Sequence, residues 1–123
     1  MNRRYRFEWV ACRHVMGRII MKWGGGLISD KSSLCTAFTD RISALADCVK
    51  SLSGLGHDIV IVHGAGSFGH LRAREFRLAE GNIAGLDQDG AIKQVRSDMD
   101  SLHDLVTSSL VPLSIHSHPP RDF

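Results

Sequence analysis

The chain has 123 residues, 43% hydrophobic and 23% charged, with a net charge of +2. That length suits one domain with a single core, and no apolar run approaches the roughly 18 residues of a membrane span, which argues against a transmembrane helix. The positive excess is local: Arg3, Arg4, Arg6 and Arg13 stand against Glu8 alone within residues 1–15, leaving a slightly acidic body without the basic face that nucleic-acid binding requires.

Residues 1–15 lack serine, carry an acid and have no secretory apolar core, so they read as an unfolded basic leader rather than a transit or signal peptide. Translation from Met16 or Met21 is the other reading. Cys12, Cys35 and Cys48 are odd in number and show no CxxC spacing, which supports neither a disulfide framework nor a zinc site. They read as reduced thiols of a cytoplasmic protein, with Cys48 as a small core residue on a helix.

Body residues begin with "GRIIMKW", Gly17 to Trp23, a strand closed by Gly24, Gly25 and Gly26. A polar loop with Ser29, Asp30, Lys31, Ser32 and Ser33 follows. Apolar residues then recur at Phe38, Ile42, Leu45, Ala46, Val49 and Leu52, the 3.6 period of an amphipathic helix, with Thr36 as N-cap and Gly54 or Gly56 as stop. The continuous run Ile59 to Val62 predicts a second strand, Asp58 to His63, buried on both faces. It runs into "HGAGSFGH".

After that loop, "SFGHLRAREFRL" predicts a short, exposed, basic helix, and Glu80 to Gly90 a loop. Ile92, Val95, Met99, Leu102 and Val106 mark a longer helix, and "LVPLSI", Leu110 to Ile115, fits a third strand. The order β-α-β-α-α-β predicts an α/β fold, an open parallel sheet with helices on both faces. Residues 16–115 form its one domain and residues 116–123 an irregular tail, in which His116 and His118 beside Pro119 and Pro120 make a poor metal site.

Two adjacent strands that both end in glycine turns present exposed amides on one carboxyl edge, where parallel sheets bind ligands. Such an edge suits phosphate. Closely spaced phosphates repel, so cations must accompany them, and Lys22 and Lys31 are placed to serve. Gly64 to Gly69 also matches GxGxxG, but a dinucleotide site needs a further strand ending in an acid about 20 residues on. Asp87 and Asp89 have the distance without the strand. A small Rossmann-like nucleotide-binding module and a non-catalytic interaction fragment are therefore the alternative readings.

"IIMKWGGGLISDK" and "IVIVHGAGSFGH" resemble the two signature segments of the isopentenyl phosphate kinases, within the amino acid kinase superfamily. The resemblance implies a three-layer amino acid kinase-like fold, here only its N-terminal part, and ATP-dependent phosphorylation of isopentenyl phosphate with Mg2+. It implies that Lys22 stabilises the transferring phosphoryl and that Gly24, Gly25 and Gly26 give amides to the nucleotide. Lys31 then neutralises charge, Ala65 and Gly66 lie between donor and acceptor, and His70 binds the acceptor phosphate. Phosphoryl transfer needs this kind of positioning and charge neutralisation. Gly26 departs from the family's usual serine. The match also ends near Ile115, so the isolated chain is expected to be a weak or inactive kinase. The helix from Ile92 to Val106 corresponds to one that commonly contributes to homodimers. His63 is expected to be structural, and Trp23 and Phe68 to pack.

Overall fold

The structure, a computed structural model, describes residues 17–118. The basic leader and the end of the tail lie outside the described residues. Strand β1 (Arg18–Trp23) leads into a single helical turn, α1 (Gly25–Ile28), and then α2 (Thr39–Gly54) and β2 (Asp58–His63). A 3-10 turn over Gly66–Phe68 precedes α3 (His70–Glu75), a second one spans Leu78–Glu80, and α4 (Gln88–Ser109) ends the regular structure. The two strands pair in parallel, with Arg18 opposite Asp58 and Trp23 opposite His63.

Because successive strand side chains alternate between faces, Met21 and Trp23 of β1 and Ile59 and Ile61 of β2 share the inward face. They meet Ile42, Ala46 and Val49 of α2, Leu102 and Val106 of α4, Ile28 and Phe68 in one core. Trp23 and Phe68 are buried. Parallel pairing requires a crossover, and α2 supplies it. The helix closes on Gly56 at φ +93, a left-handed position that glycine occupies without a Cβ penalty.

Five features differ from the sequence reading. The α/β class and the parallel pairing stand, but the helices cover one sheet face: Ile20, Val60 and Val62 point outward and are exposed, so β2 is not buried on both sides. No third strand is present among the described residues. Leu110 caps α4, and Val111 to Leu113 turn through Val111 N–H to Ser108 O (3.4 Å) and Leu113 N–H to Leu110 O (2.8 Å), while Pro112 has no N–H to give a ladder. Thr36 does not cap α2. Its hydroxyl donates to Leu34 O (3.1 Å), and the helix begins three residues later after Phe38. Cys48 is exposed, because it sits about 100° round the helix from Val49, off the buried stripe.

The fifth is the extent of the loop expected over Glu80 to Gly90: α4 already begins at Gln88, with the Asp87 carboxylate accepting the Gly90 N–H (3.0 Å) as its N-cap. The strand a dinucleotide site requires ahead of Asp87 and Asp89 is absent among the described residues. In its place the loop before α4 is tied down by Gln88. Its side-chain oxygen accepts from Ile83 N–H (2.9 Å), and its amide donates to Phe76 O (3.1 Å) and Gly81 O (2.9 Å).

Candidate functional site

The turns after β1 and β2 lie against each other, main chain on main chain. A Cβ at Gly25 would overlap the backbone of Gly66, one at Gly64 would stand 2.8 Å from Gly25 N, and one at Gly66 would strike Ser29 Oγ and the Gly25 carbonyl. Gly66 also has φ +50, the left-handed region that other residues avoid. These three glycines are therefore demanded by contact between the turns. Gly24 is different: its φ is −62 and a Cβ there would meet nothing within 4 Å, so protein packing alone does not require glycine at that position.

Ser29 fastens the junction. Its hydroxyl donates to Gly25 O (2.6 Å) and accepts from Ser67 N–H (3.0 Å), both residues being buried. Ser67 then accepts the Thr36 N–H (3.2 Å), and Cys35 N–H donates to Ser67 O (3.1 Å), bringing the α1–α2 loop onto the second turn. None of the N–H groups of Gly24, Gly25, Gly26, Ala65 and Gly66 has a protein acceptor among the described residues. Unpaired main-chain amides at neighbouring turns make a concavity suited to an anion.

Lys31 reaches this junction through a turn set by Asp30, whose carboxylate accepts the Ser32 N–H (2.9 Å) and hydroxyl (2.7 Å). Those two bonds, the amide first, hold the Asp30 carboxyl below the usual carboxylate range. The stem of Lys31 occupies the space over Gly26: a Cβ there would stand 2.7 Å from Lys31 Cε and 3.4 Å from Nζ. Glycine in place of the family's serine thus leaves room for the lysine arm to lie along the turn.

Lys22 leaves β1 on the open sheet face, opposite Val62 and two residues before Gly24, and is exposed. His70 is the first residue of α3 and is exposed as well. Neither they nor Lys31 has an ion pair or side-chain hydrogen bond among the described residues, which leaves the three cationic or proton-donating groups available to a ligand. The structure thus brings Gly24, Gly25, Gly26 and Lys31 together with Ala65 and Gly66. Lys22 adjoins the first turn and His70 follows the second.

His63 holds the second turn from behind. Its Nδ1 lies 3.1 Å from Gly64 O, which can only accept, so Nδ1 carries the proton. Its Nε2 meets His103 Nδ1 at 3.0 Å, and His103 Nε2 meets Ser117 Oγ at 2.6 Å, with the two rings stacked 5.3 Å apart. His63 thereby ties down the peptide that joins Gly64 to Ala65. The sequence reading missed Ser29 and Asp30 as organisers. The serine's spacing, four residues after Gly25, was the available signal, as was the Asp-x-Ser turn pattern at Asp30.

Two other features stand apart from this junction. A groove of about 380 Å3 beside the N-terminus of α4 is lined by Leu78, Asn82, Leu86, Gln88 and neighbouring loop residues, away from both glycine turns. No group of three or more His, Cys, Asp or Glu converges to hold a metal ion among the described residues. No helix is long and apolar enough to cross a membrane among them.

Residues 17–113 match the amino acid kinase family. Over 60 residues the chain is 48% identical to the isopentenyl phosphate kinase of Thermoplasma acidophilum, covering 49% of this chain and 23% of that protein. The crystal structure of the T. acidophilum isopentenyl phosphate kinase product complex superposes with a TM-score of 0.63 at 35% identity, covering 79% of this chain and 38% of that one. A structure of an isopentenyl phosphate kinase substrate complex gives 0.59 at 37% identity, with 80% and 38% coverage. The chain therefore spans well under half the length of these relatives. A strand–glycine-turn pair of this geometry, matched over most of the sequence, identifies the chain as a member of the amino acid kinase family.

Proposed function

We propose that the joined glycine turns are the phosphate-binding portion of an ATP-dependent kinase whose acceptor is isopentenyl phosphate, yielding isopentenyl diphosphate. The observation that carries this is the set of five unpaired amides on two interlocked turns, within a chain 48% identical over 60 residues to an isopentenyl phosphate kinase. Gly24, Gly25 and Gly26 donate amides to nucleotide phosphates. Ala65 and Gly66 donate between the two phosphate positions, and His70 hydrogen-bonds the acceptor phosphate. Lys22 and Lys31 offset the charge that gathers when phosphates meet, the demand that dominates phosphoryl transfer.

ATP brings the transferred phosphoryl, and Mg2+ would be carried on its phosphate oxygens, since the described residues provide no cluster of carboxylates to hold it. A homodimer would form through α4, on the side where Leu105 is exposed. Turnover by this chain alone is expected to be weak or nil, because Lys22 stands in open solvent, where charges attract weakly.

Titration of the 15N-labelled chain with isopentenyl phosphate, with ADP and with NAD tests the site directly. The expected result is movement of the Gly24 to Gly26 and the Ala65 and Gly66 amide resonances with the first two, diminished by Lys22→Ala or His70→Ala. Resonances that stay still with isopentenyl phosphate and ADP, or move with NAD alone, would overturn the proposal.

A further inference from the structure

Among the glycines of the two turns, Gly26 is set apart by what a Cβ would meet. Gly25, Gly64 and Gly66 face backbone, and Gly24 faces nothing within 4 Å. At Gly26 the three nearest atoms all belong to one flexible side chain, that of Lys31: Cε at 2.7 Å, Cδ at 3.2 Å and Nζ at 3.4 Å. The main chain does not ask for glycine either. Gly26 lies inside α1 with φ outside the left-handed region, where alanine is the more favourable residue. What the glycine accommodates is therefore the lysine.

We propose that Gly26 is a positioning residue for Lys31: by lacking a Cβ it seats the lysine stem along the first turn and sets the ammonium beside the unpaired amides of Gly24 to Gly26, where both bind the phosphate chain of a nucleotide. The ligand in this inference rests on the kinase reading; the seat rests on contact geometry. A Cβ stands about 2.5 Å from its own amide nitrogen, so Lys31 Nζ lies within about 6 Å of the Gly26 nitrogen. One phosphate group spans that gap with a hydrogen bond of about 2.9 Å on each side.

Seating matters because lysine is a compact point charge on a long, freely rotating stem. A stem already held along the turn has less freedom to lose when the ligand arrives. The carboxylate next door does not compete for the charge. Asp30 accepts from the Ser32 N–H and hydroxyl, and it forms no ion pair with Lys31 among the described residues. The ammonium is thus held against the turn while its donors stay open to phosphate oxygens, whose mutual repulsion it offsets.

The test is a double-mutant cycle on the 123-residue chain, read by nuclear magnetic resonance with and without ADP. In the free chain the Lys31 ε protons should show Overhauser contacts to the Gly26 α protons. Gly26→Ala should abolish them and leave the melting temperature unchanged, because only the tip of a flexible side chain has to move. Gly26→Ala and Gly26→Ser should each weaken ADP binding about three- to fivefold at low ionic strength, the scale of one exposed charge, and the loss should fade as salt is raised. Gly26→Ser is the sharper variant, since its hydroxyl adds a donor and would tighten binding if Lys31 were indifferent to position 26. In a Lys31→Met background, which keeps a stem and removes the charge, both substitutions should change affinity less than about twofold. Missing Overhauser contacts, tighter binding by Gly26→Ser, or an equal loss in the parent and Lys31→Met backgrounds would each overturn the inference, and ADP still bound at the turns would leave the kinase reading in place. A parent chain that shows the contacts but binds no ADP would overturn the kinase reading and, with it, the ligand assigned to the ammonium, so the two failures are told apart.

Discussion

Replacing Ser29 by alanine tests whether one hydroxyl fastens the two glycine turns. The hydroxyl serves two partners, yet the losses are unequal: Gly25 O also accepts the Ser29 N–H at 3.0 Å and stays satisfied, whereas the Ser67 N–H has no second acceptor. Ser67 is fully buried, so its amide would be left unpaired away from water, at about 1–3 kcal/mol. Deleting one oxygen opens too little space for a methylene-sized cavity, so the packing loss is secondary. For about 100 ordered residues, 1–3 kcal/mol lowers the melting temperature by roughly 4–20 °C. Urea unfolding of the 123-residue chain and its Ser29→Ala variant, followed by circular dichroism, would give the difference with an unchanged slope. A loss below about 0.5 kcal/mol would refute the reasoning, because a surface substitution does as much.

Gly66→Ala should cost about 3 kcal/mol or more, combining a left-handed φ with overlap against Ser29 and the Gly25 carbonyl, while Gly24→Ala should stay within about 1 kcal/mol by the same denaturation assay. Equal losses would show that contact between the turns is not what selects glycine. The Asp30 carboxyl is held below its ordinary 3.8, so its stabilising contribution is complete above that pH and is lost as pH falls through the lower folded value. Asp30→Asn should therefore flatten the acid limb of the stability profile, and parallel profiles would refute this. Burial, followed by the nearby Asp98 carboxylate, pushes the Cys35 thiol up, whereas Cys48 is exposed. Peptide-resolved iodoacetamide labelling near pH 8 should modify Cys48 about tenfold faster than Cys35, and equal rates would contradict the packing described.

How much of this was readable in the residues depends on what each signal reports. Strands β1 and β2 and the long helix α4 were legible because an apolar run or a 3.6-residue repeat is a property of the segment itself. What covers a segment is not. The run Ile59 to Val62 looks like a strand enclosed on both sides, yet the partner for its outer face is not among the described residues, and Val60 and Val62 face water. Leu110 to Ile115 has strand composition, but Leu110 is engaged in ending α4 and Leu113 returns to the core. Composition lost to context. Within the site, the glycines and Lys22, Lys31 and His70 were visible as residue types. Ser29 and Asp30 carry local signals, the spacing from Gly25 and the Asp-x-Ser pattern, but the bond from Ser67 N–H to the Ser29 hydroxyl spans 38 positions and could not be read from either.

The interlocked turns have a mechanical consequence. With no side chains between Gly25, Gly64 and Gly66, there are no rotamers to adjust, and the gap between anything gripped by one turn and anything gripped by the other is ruled by peptide geometry alone. Reacting groups seated across them would share one rigid gauge, insensitive to thermal jostling of the flexible lysines around it.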